Sequence, residues 1–346
     1  DCDNFSTVEH EFHDSYPGQL KYQHCKAEPR QMLFTRRIRV SSILCRFFVC
    51  VCLLSLSLAS TAQEGKRVIP IQYSGTLKKI KDSGVIRLGY RQNSPPFAFV
   101  DAKTRNQPVG YSLDLCAPII EEISEELEKE IHVEYRPVTP ENRLDMVTSG
   151  EIDLECGSTV NNFERRKRVA FSPTIFVTGI KLMVASSSPA KSLRDLNGKT
   201  IAVTRGTVHA ELMPRIAERQ KLAITFVTGA DHNESFNLVA SGKAQAFAND
   251  DVQLYGMIAE TRSGSQFRVI GDYLTYADYA LMYRKDDPEF AEVVDRAFNN
   301  RLYGTRVVRA IYDKWFIRPL PSGVRLNLPM SPHLQQQFGV QEARGD

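Results

Sequence analysis

Twice along this chain a short β-rich run leads into an amphipathic helix and then into another β-rich run, and between the two series the pattern stops and restarts. This alternation constrains the fold more than any other feature, because strand–helix–strand units lay their strands parallel in one sheet with helices on its faces. In the first series, residues 85–90 form a β-rich run ending in the polar stretch Arg91-Gln92-Asn93-Ser94. Beyond Gly110, the apolar positions Cys116, Ile119, Ile120, Ile123 and Leu127 recur at helical spacing, with Glu121, Glu122, Glu125 and Glu126 on the other face. Residues 132–138 alternate as a strand, 143–149 read as a short helix ended by Gly150, and 152–156 read as a strand running into Gly157-Ser158-Thr159.

The second series gives a strand at 196–203, a helix at 208–220, a strand at 224–227, a helix at 233–241 and a strand at 244–248 ending in Asn249-Asp250-Asp251. A β run at 279–283 and helices at 288–302 and 305–316 then bring the chain back. The expected class is α/β with two lobes, each a mostly parallel sheet flanked by helices. In such folds ligands bind outside the carboxyl ends of the strands, in the crevice between units, and the polar clusters fall at those ends.

A length of 346 residues fits about two domains. Lys plus Arg number 44 against 41 Asp plus Glu, and a formal charge of +3 gives no basic footprint for a nucleic-acid partner.

Upstream of the first series, Met32 is followed by Arg36-Arg37-Ile38-Arg39, an uncharged apolar run over 47–59 and the small residues Ser60-Thr61-Ala62. A basic start, a short apolar run and a small-residue cleavage site in that order read as a secretory signal peptide over 32–62. The run is shorter than the ~20 residues that cross a bilayer. Residues 1–31 read as upstream sequence foreign to the mature protein. Five of the seven cysteines precede residue 63, leaving Cys116 and Cys156 for an exported chain in an oxidising compartment. One disulfide is open to them; two buried thiols is the simpler reading, since free cysteine packs as a small hydrophobe.

Residues 63–346 hold no Gly-x-Ser-x-Gly elbow, Walker loop, His-Glu-x-x-His pair or Gly-x-Gly-x-x-Gly run, so no motif implies a cofactor. His132, His209, His232 and His333 are too scattered to imply a metal by spacing. Arginine at strand ends does stand out: Arg91, Arg143 and Arg165. A guanidinium binds a carboxylate through two parallel hydrogen bonds, so converging arginines suit a small dicarboxylate. Each alone reads as a solvated charge, above all in the run Arg165-Arg166-Lys167-Arg168.

The stretch Glu155-Cys156-Gly157-Ser158-Thr159-Val160-Asn161-Asn162-Phe163-Glu164-Arg165 resembles the periplasmic solute-binding proteins for polar amino acids (family 3), most of all their glutamate/aspartate-binding branch. The resemblance spans roughly 74–333 and includes Gly110-Tyr111-Ser112-Leu113-Asp114-Leu115, Asn142-Arg143, Asp231-His232, Ser235-Phe236 and Asp250-Asp251. It implies a type II clamp that closes on an acidic L-amino acid in the periplasm and presents it to inner-membrane ABC permease subunits, with no cofactor and as a monomer. It places lobe 1 at 63–178, lobe 2 at 179–278 and a return to lobe 1 with a C-terminal tail at 279–346, with hinge segments near 176–181 and 276–283. Arg165 and Ser158 would take the α-carboxylate, aided by backbone near Gly206 and Thr207. Asp250 would take the α-ammonium, and Arg91, Arg143 and His232 the side-chain carboxylate of glutamate or aspartate. Pro140 and Val160 depart from the hydroxyl residues of relatives, and Ser112 from the acidic residue usual in the wider family. The rival reading is an enzyme on the same scaffold, a cyclohexadienyl or arogenate dehydratase, for which Glu141, Glu155 and His232 are the candidate general acids.

Overall fold

The computed structural model describes residues 72–101 and 107–340; the expected leader and upstream segment lie outside them. The strands, in chain order, are β1 (Val85–Tyr90), β2 (Asn93–Ser94), β3 (Ala98–Val100), β4 (Pro108–Val109), β5 (His132–Pro137), β6 (Leu154–Glu155), β7 (Val169–Ala185), β8 (Thr200–Thr204), β9 (Thr225–Gly229), β10 (Ala246–Asp250), β11 (Phe267–Ile270) and β12 (Tyr276–Arg284). Nine of them form one sheet, eight along the path β5-β1-β6-β12-β7-β10-β8-β9 and the ninth, β11, paired with β7 off that path. The remaining three make a small antiparallel sheet, β2-β3-β4, that the strand–helix pattern did not reveal.

The long strand β7 joins two halves of this path. From Val169 to Gly179 it pairs antiparallel with β12, and from Ile180 to Ala185 it pairs with β10 and β11. On one side of that exchange β5, β1 and β6 run parallel, and on the other β10, β8 and β9 do. The fold is therefore α/β and two-lobed, each half a parallel set of strands bordered by antiparallel crossing strands. Where β7 changes partner, only Gly179 fits: a Cβ there would lie 2.4 Å from the Thr275 carbonyl oxygen.

Each half has its own core. In the first, the helix Tyr111–Glu126 buries Cys116, Ile119 and Ile123 on the face anticipated from their spacing. Its Glu122 holds Arg296 and Arg301 at 3.1 and 2.8 Å from the helices that return to this half. Cys116 is bonded to Cys156, so the pair is a disulfide rather than two thiols; it ties this helix to the end of β6. Phe97, Tyr111, Phe176, Tyr279 and Phe316 pack edge-on and stacked with centroid distances of 4.9–6.5 Å. In the second half, Ile180, Leu182, Ile201, Val203, Met213 and Ala248 form one apolar cluster and Met183, Ala202, Phe236, Phe247 and Leu254 another, on the two faces of its sheet.

Candidate functional site

Every parallel strand delivers a polar residue from its carboxyl end into one closed space. Arg91 follows β1, Arg143 opens the helix after β5, and Ser158 and Arg165 follow β6. Thr207 precedes the helix after β8, His232 is the first residue of the helix after β9, and Asp250 ends β10. All seven line a single small cavity, shared with Val160, Val208, His209 and Gln253. Among the residues expected to bind ligand none is left outside.

The loop carrying Ser158 to Val160 is fixed from both ends. The Asn161 N–H donates to the Asp278 carbonyl at 2.9 Å, and the Ala280 N–H donates to the Thr159 carbonyl at 3.1 Å, which hang the loop on β12. Asn162 caps the next turn by accepting the Arg165 N–H at 2.9 Å, and Arg165 Nη1 donates to the Val160 carbonyl at 2.9 Å. The Arg165–Arg168 run thus splits: Arg165 points inward at 9% exposure, while Arg168 pairs with Asp145 at the surface.

Arg91 is 1% exposed and Arg143 equally buried. Arg143 Nη1 donates to Thr159 Oγ1 at 2.8 Å, and that hydroxyl donates to Glu155 Oε2 at 2.7 Å. Burial, then repulsion from Arg143, pushes the Arg91 and Arg165 guanidiniums down to about 9; both remain cationic at neutral pH. Arg143 is lowered by burial too. Glu155 attracts all three. It was expected only as an acid for the rival enzyme reading, and it lies behind the cavity wall instead of on it.

On the opposite wall, Asp231 caps the helix that begins at His232 by accepting the Glu234 N–H at 2.8 Å. His232 Nδ1 lies 2.9 Å from Thr204 Oγ1. Burial, followed by the charges of Arg91, His209 and Arg143, holds its pKa well below the usual 6.5, so the ring is neutral at pH 7. Asp250 Oδ2 accepts the Tyr279 hydroxyl, which takes a hydrogen bond from Gln253 Nε2 at 3.0 Å. His209 Nε2 stands 3.1 Å from the same carboxylate without hydrogen-bond alignment. Tyr279, Gln253 and His209 were not foreseen as site residues. Their signal in sequence is weak, since the tyrosine reads as a strand residue and the other two lie on helices.

Several buried polar atoms face this space without a partner among the described residues: Ser158 Oγ, Arg143 Nε, Asp250 Oδ1 and Gln253 Oε1. Unmet donors and acceptors at such burial cost free energy that a polar ligand recovers. Both halves also meet at the rim. A Cβ on Gly206 would lie 2.9 Å from Pro140 and Glu141, and one on Gly256 2.3 Å from the Pro95 carbonyl oxygen. Glu141 is on this outer rim, 3.9 Å from Arg205, and does not line the cavity. Of the three candidate general acids for the dehydratase alternative, only His232 lines the cavity.

A buried, two-walled polar cavity at strand ends, arginines on one wall and a carboxylate on the other, defines a small-molecule binding clamp. The chain belongs to the bacterial extracellular solute-binding proteins, family 3, whose pattern matches residues 86–318. It is 39% identical over 271 residues to the L-glutamate/L-aspartate-binding protein of Pseudomonas aeruginosa, covering 78% of this chain and 89% of that one. It is 36% identical to the glutamate/aspartate import solute-binding protein of Salmonella typhimurium, covering 76% and 87%. A crystal structure of a mutant ArgBP from T. maritima shares the fold at a TM-score of 0.61 and 23% identity, covering 69% of this chain and 98% of that one.

Proposed function

We propose that this protein captures an acidic L-amino acid, glutamate or aspartate, between its two lobes and delivers it to an inner-membrane ABC permease. The observation that carries this reading is charge. Three buried guanidiniums are set against two buried carboxylates, Asp250 on the cavity wall and Glu155 behind it, an excess of one positive charge among these groups. An acidic amino acid brings two carboxylates and one ammonium and cancels it, whereas a neutral or basic amino acid does not.

In this reading Arg165 and Ser158 hold the α-carboxylate, aided by backbone near Gly206 and Thr207 at the start of the following helix. Asp250 takes the ammonium on its open Oδ1. Arg91, Arg143 and neutral His232 surround the side-chain carboxylate, the imidazole donating a hydrogen bond without adding charge. The ligand touches both walls, and closure is favoured by that difference in contacts alone.

The lobes divide at 178/179 and 278/279, with 176–181 and 276–283 as the hinge, since β7 and β12 are the strands that cross between halves. The protein works in the periplasm as a monomer after removal of a signal peptide at 32–62, and needs no cofactor and no nucleic-acid partner.

The test is thermal unfolding of residues 63–346 with each of the twenty L-amino acids, after unfolding and refolding to remove carried-over ligand. Ligand at ~100 times its Kd adds about 2.7 kcal/mol of stability. Stabilisation by glutamate or aspartate alone is expected. A response to neutral or basic amino acids instead overturns the side-chain pocket, and turnover of prephenate or arogenate would restore the dehydratase.

A further inference from the structure

Behind the arginine wall lies a fully buried carboxylate, that of Glu155, which is not part of the cavity lining. Its Oε2 is fixed by the Thr159 hydroxyl, which in turn receives Arg143. Its Oε1 has no hydrogen-bond partner among the described residues. Gly157 makes room for it: a Cβ there would stand 2.2 Å from Oε1 and 3.4 Å from Arg91. Such a buried, half-satisfied carboxylate costs free energy unless charge nearby compensates it.

We infer that Glu155 is a positioning residue that sets the ligand charge the clamp accepts: a fixed counter-ion which limits the site to one unit of excess positive charge and so selects monoanionic acidic amino acids over dianionic dicarboxylates. This rests on the acidic amino-acid reading and deepens it. All three guanidiniums are attracted to this one carboxylate. In a water-poor cleft that attraction extends over several ångströms and is felt at the ligand through the arginines. Without Glu155 the empty site would carry two excess positive charges. A dicarboxylate lacking an ammonium would then be the neutralising ligand, even though Asp250 would still go unpaired.

The experiment compares wild type, E155Q and E155D, each stripped of ligand by refolding, in calorimetric titrations with L-glutamate and with glutarate. The glutamine keeps an acceptor for Thr159, and the aspartate keeps the charge. E155Q is expected to shift the glutamate-to-glutarate affinity ratio towards glutarate by about tenfold, ~1.4 kcal/mol, while its ligand-free form melts lower than wild type. E155D is expected to keep the wild-type preference. A merely structural role would lower stability and both affinities together and leave the ratio alone; that result overturns the inference. So does an E155Q chain that cannot be folded even in the presence of either ligand, because glutarate supplies the charge that the variant lacks. Wild type that binds neither of these nor L-aspartate overturns the acidic amino-acid reading itself, whereas wild type that prefers glutamate beside an unchanged E155Q ratio overturns only the role of Glu155.

Discussion

The two walls of the cavity solve the problem of burying charge differently. The wall from the first half gathers Arg91, Arg143 and Arg165 around Glu155, and a disulfide joins the residue next to that glutamate to the neighbouring helix. The wall from the second half has one carboxylate, Asp250, and fills the rest with Thr207, Val208, His209, Gln253 and a neutral His232. The first is a preassembled, cross-linked receptor for negative charge. The second is a sparse surface whose one carboxylate leans on Tyr279, a residue of the crossing strand β12. The lesson is that a clamp can hold most of its charge on one lobe and let the other recognise the ligand only upon closing.

The largest effect expected from breaking this arrangement comes from removing one charge on either wall. Arg165→Ala and Asp250→Ala should each cost ~3–5 kcal/mol of glutamate binding, because the partner charge is left buried and unpaired. Calorimetry reads the loss, and thermal unfolding checks that the fold remains. Binding retained near wild-type strength in either would remove that residue from the site.

Next in size is the cross-link. Cys116 and Cys156 are 40 residues apart, and closing such a loop in the unfolded chain is worth about 4 kcal/mol. The double Cys116→Ala/Cys156→Ala variant should melt at a lower temperature in denaturant or heat while keeping its order of ligand preference. A changed preference would mean that the bridge shapes the arginine wall as well as stabilising it.

A smaller effect is expected from wedging the halves apart. Gly256 packs on the Pro95 carbonyl, and Gly256→Ala puts a methyl into that contact without touching any cavity residue. About tenfold weaker glutamate binding, ~1.4 kcal/mol, is expected by titration. An unchanged affinity would show that this contact gives way without resisting closure.

The smallest effect concerns pH. The pKa of His232 is lowered on folding, so below about 6.5 the unfolded chain binds a proton that the folded chain refuses. Stability from this residue is therefore present above the unfolded pKa and lost as pH falls through it. Melting temperatures between pH 7.5 and 5 should decline more steeply in wild type than in His232→Gln. Equal slopes would contradict a neutral, buried imidazole.

Much of this was legible before the structure. Arg91, Arg143, Ser158, Arg165, Thr207, His232 and Asp250 stand where strand–helix units end their strands, and parallel sheets bring those ends together. What stayed hidden depends on contacts between distant segments. Glu155 looks like any polar residue at a strand end until Arg91, Arg143 and Arg165 are seen converging on it. Tyr279 belongs by its pattern to a core strand, yet its hydroxyl reaches Asp250. The cysteines were undecided because spacing of 40 residues sets no distance in space. The small β2-β3-β4 sheet escaped because its strands are only two or three residues long.

The central claim is that one ligand with two carboxylates and an ammonium joins the two walls. Calorimetric titration of the refolded chain with L-glutamate and with L-glutamine, which differ only in the side-chain charge facing Arg91 and Arg143, tests it most directly. Glutamate binding at least about a hundredfold tighter than glutamine, ~2.7 kcal/mol, is the result this account requires. Equal affinity for the two, or a preference for glutamine, would contradict it.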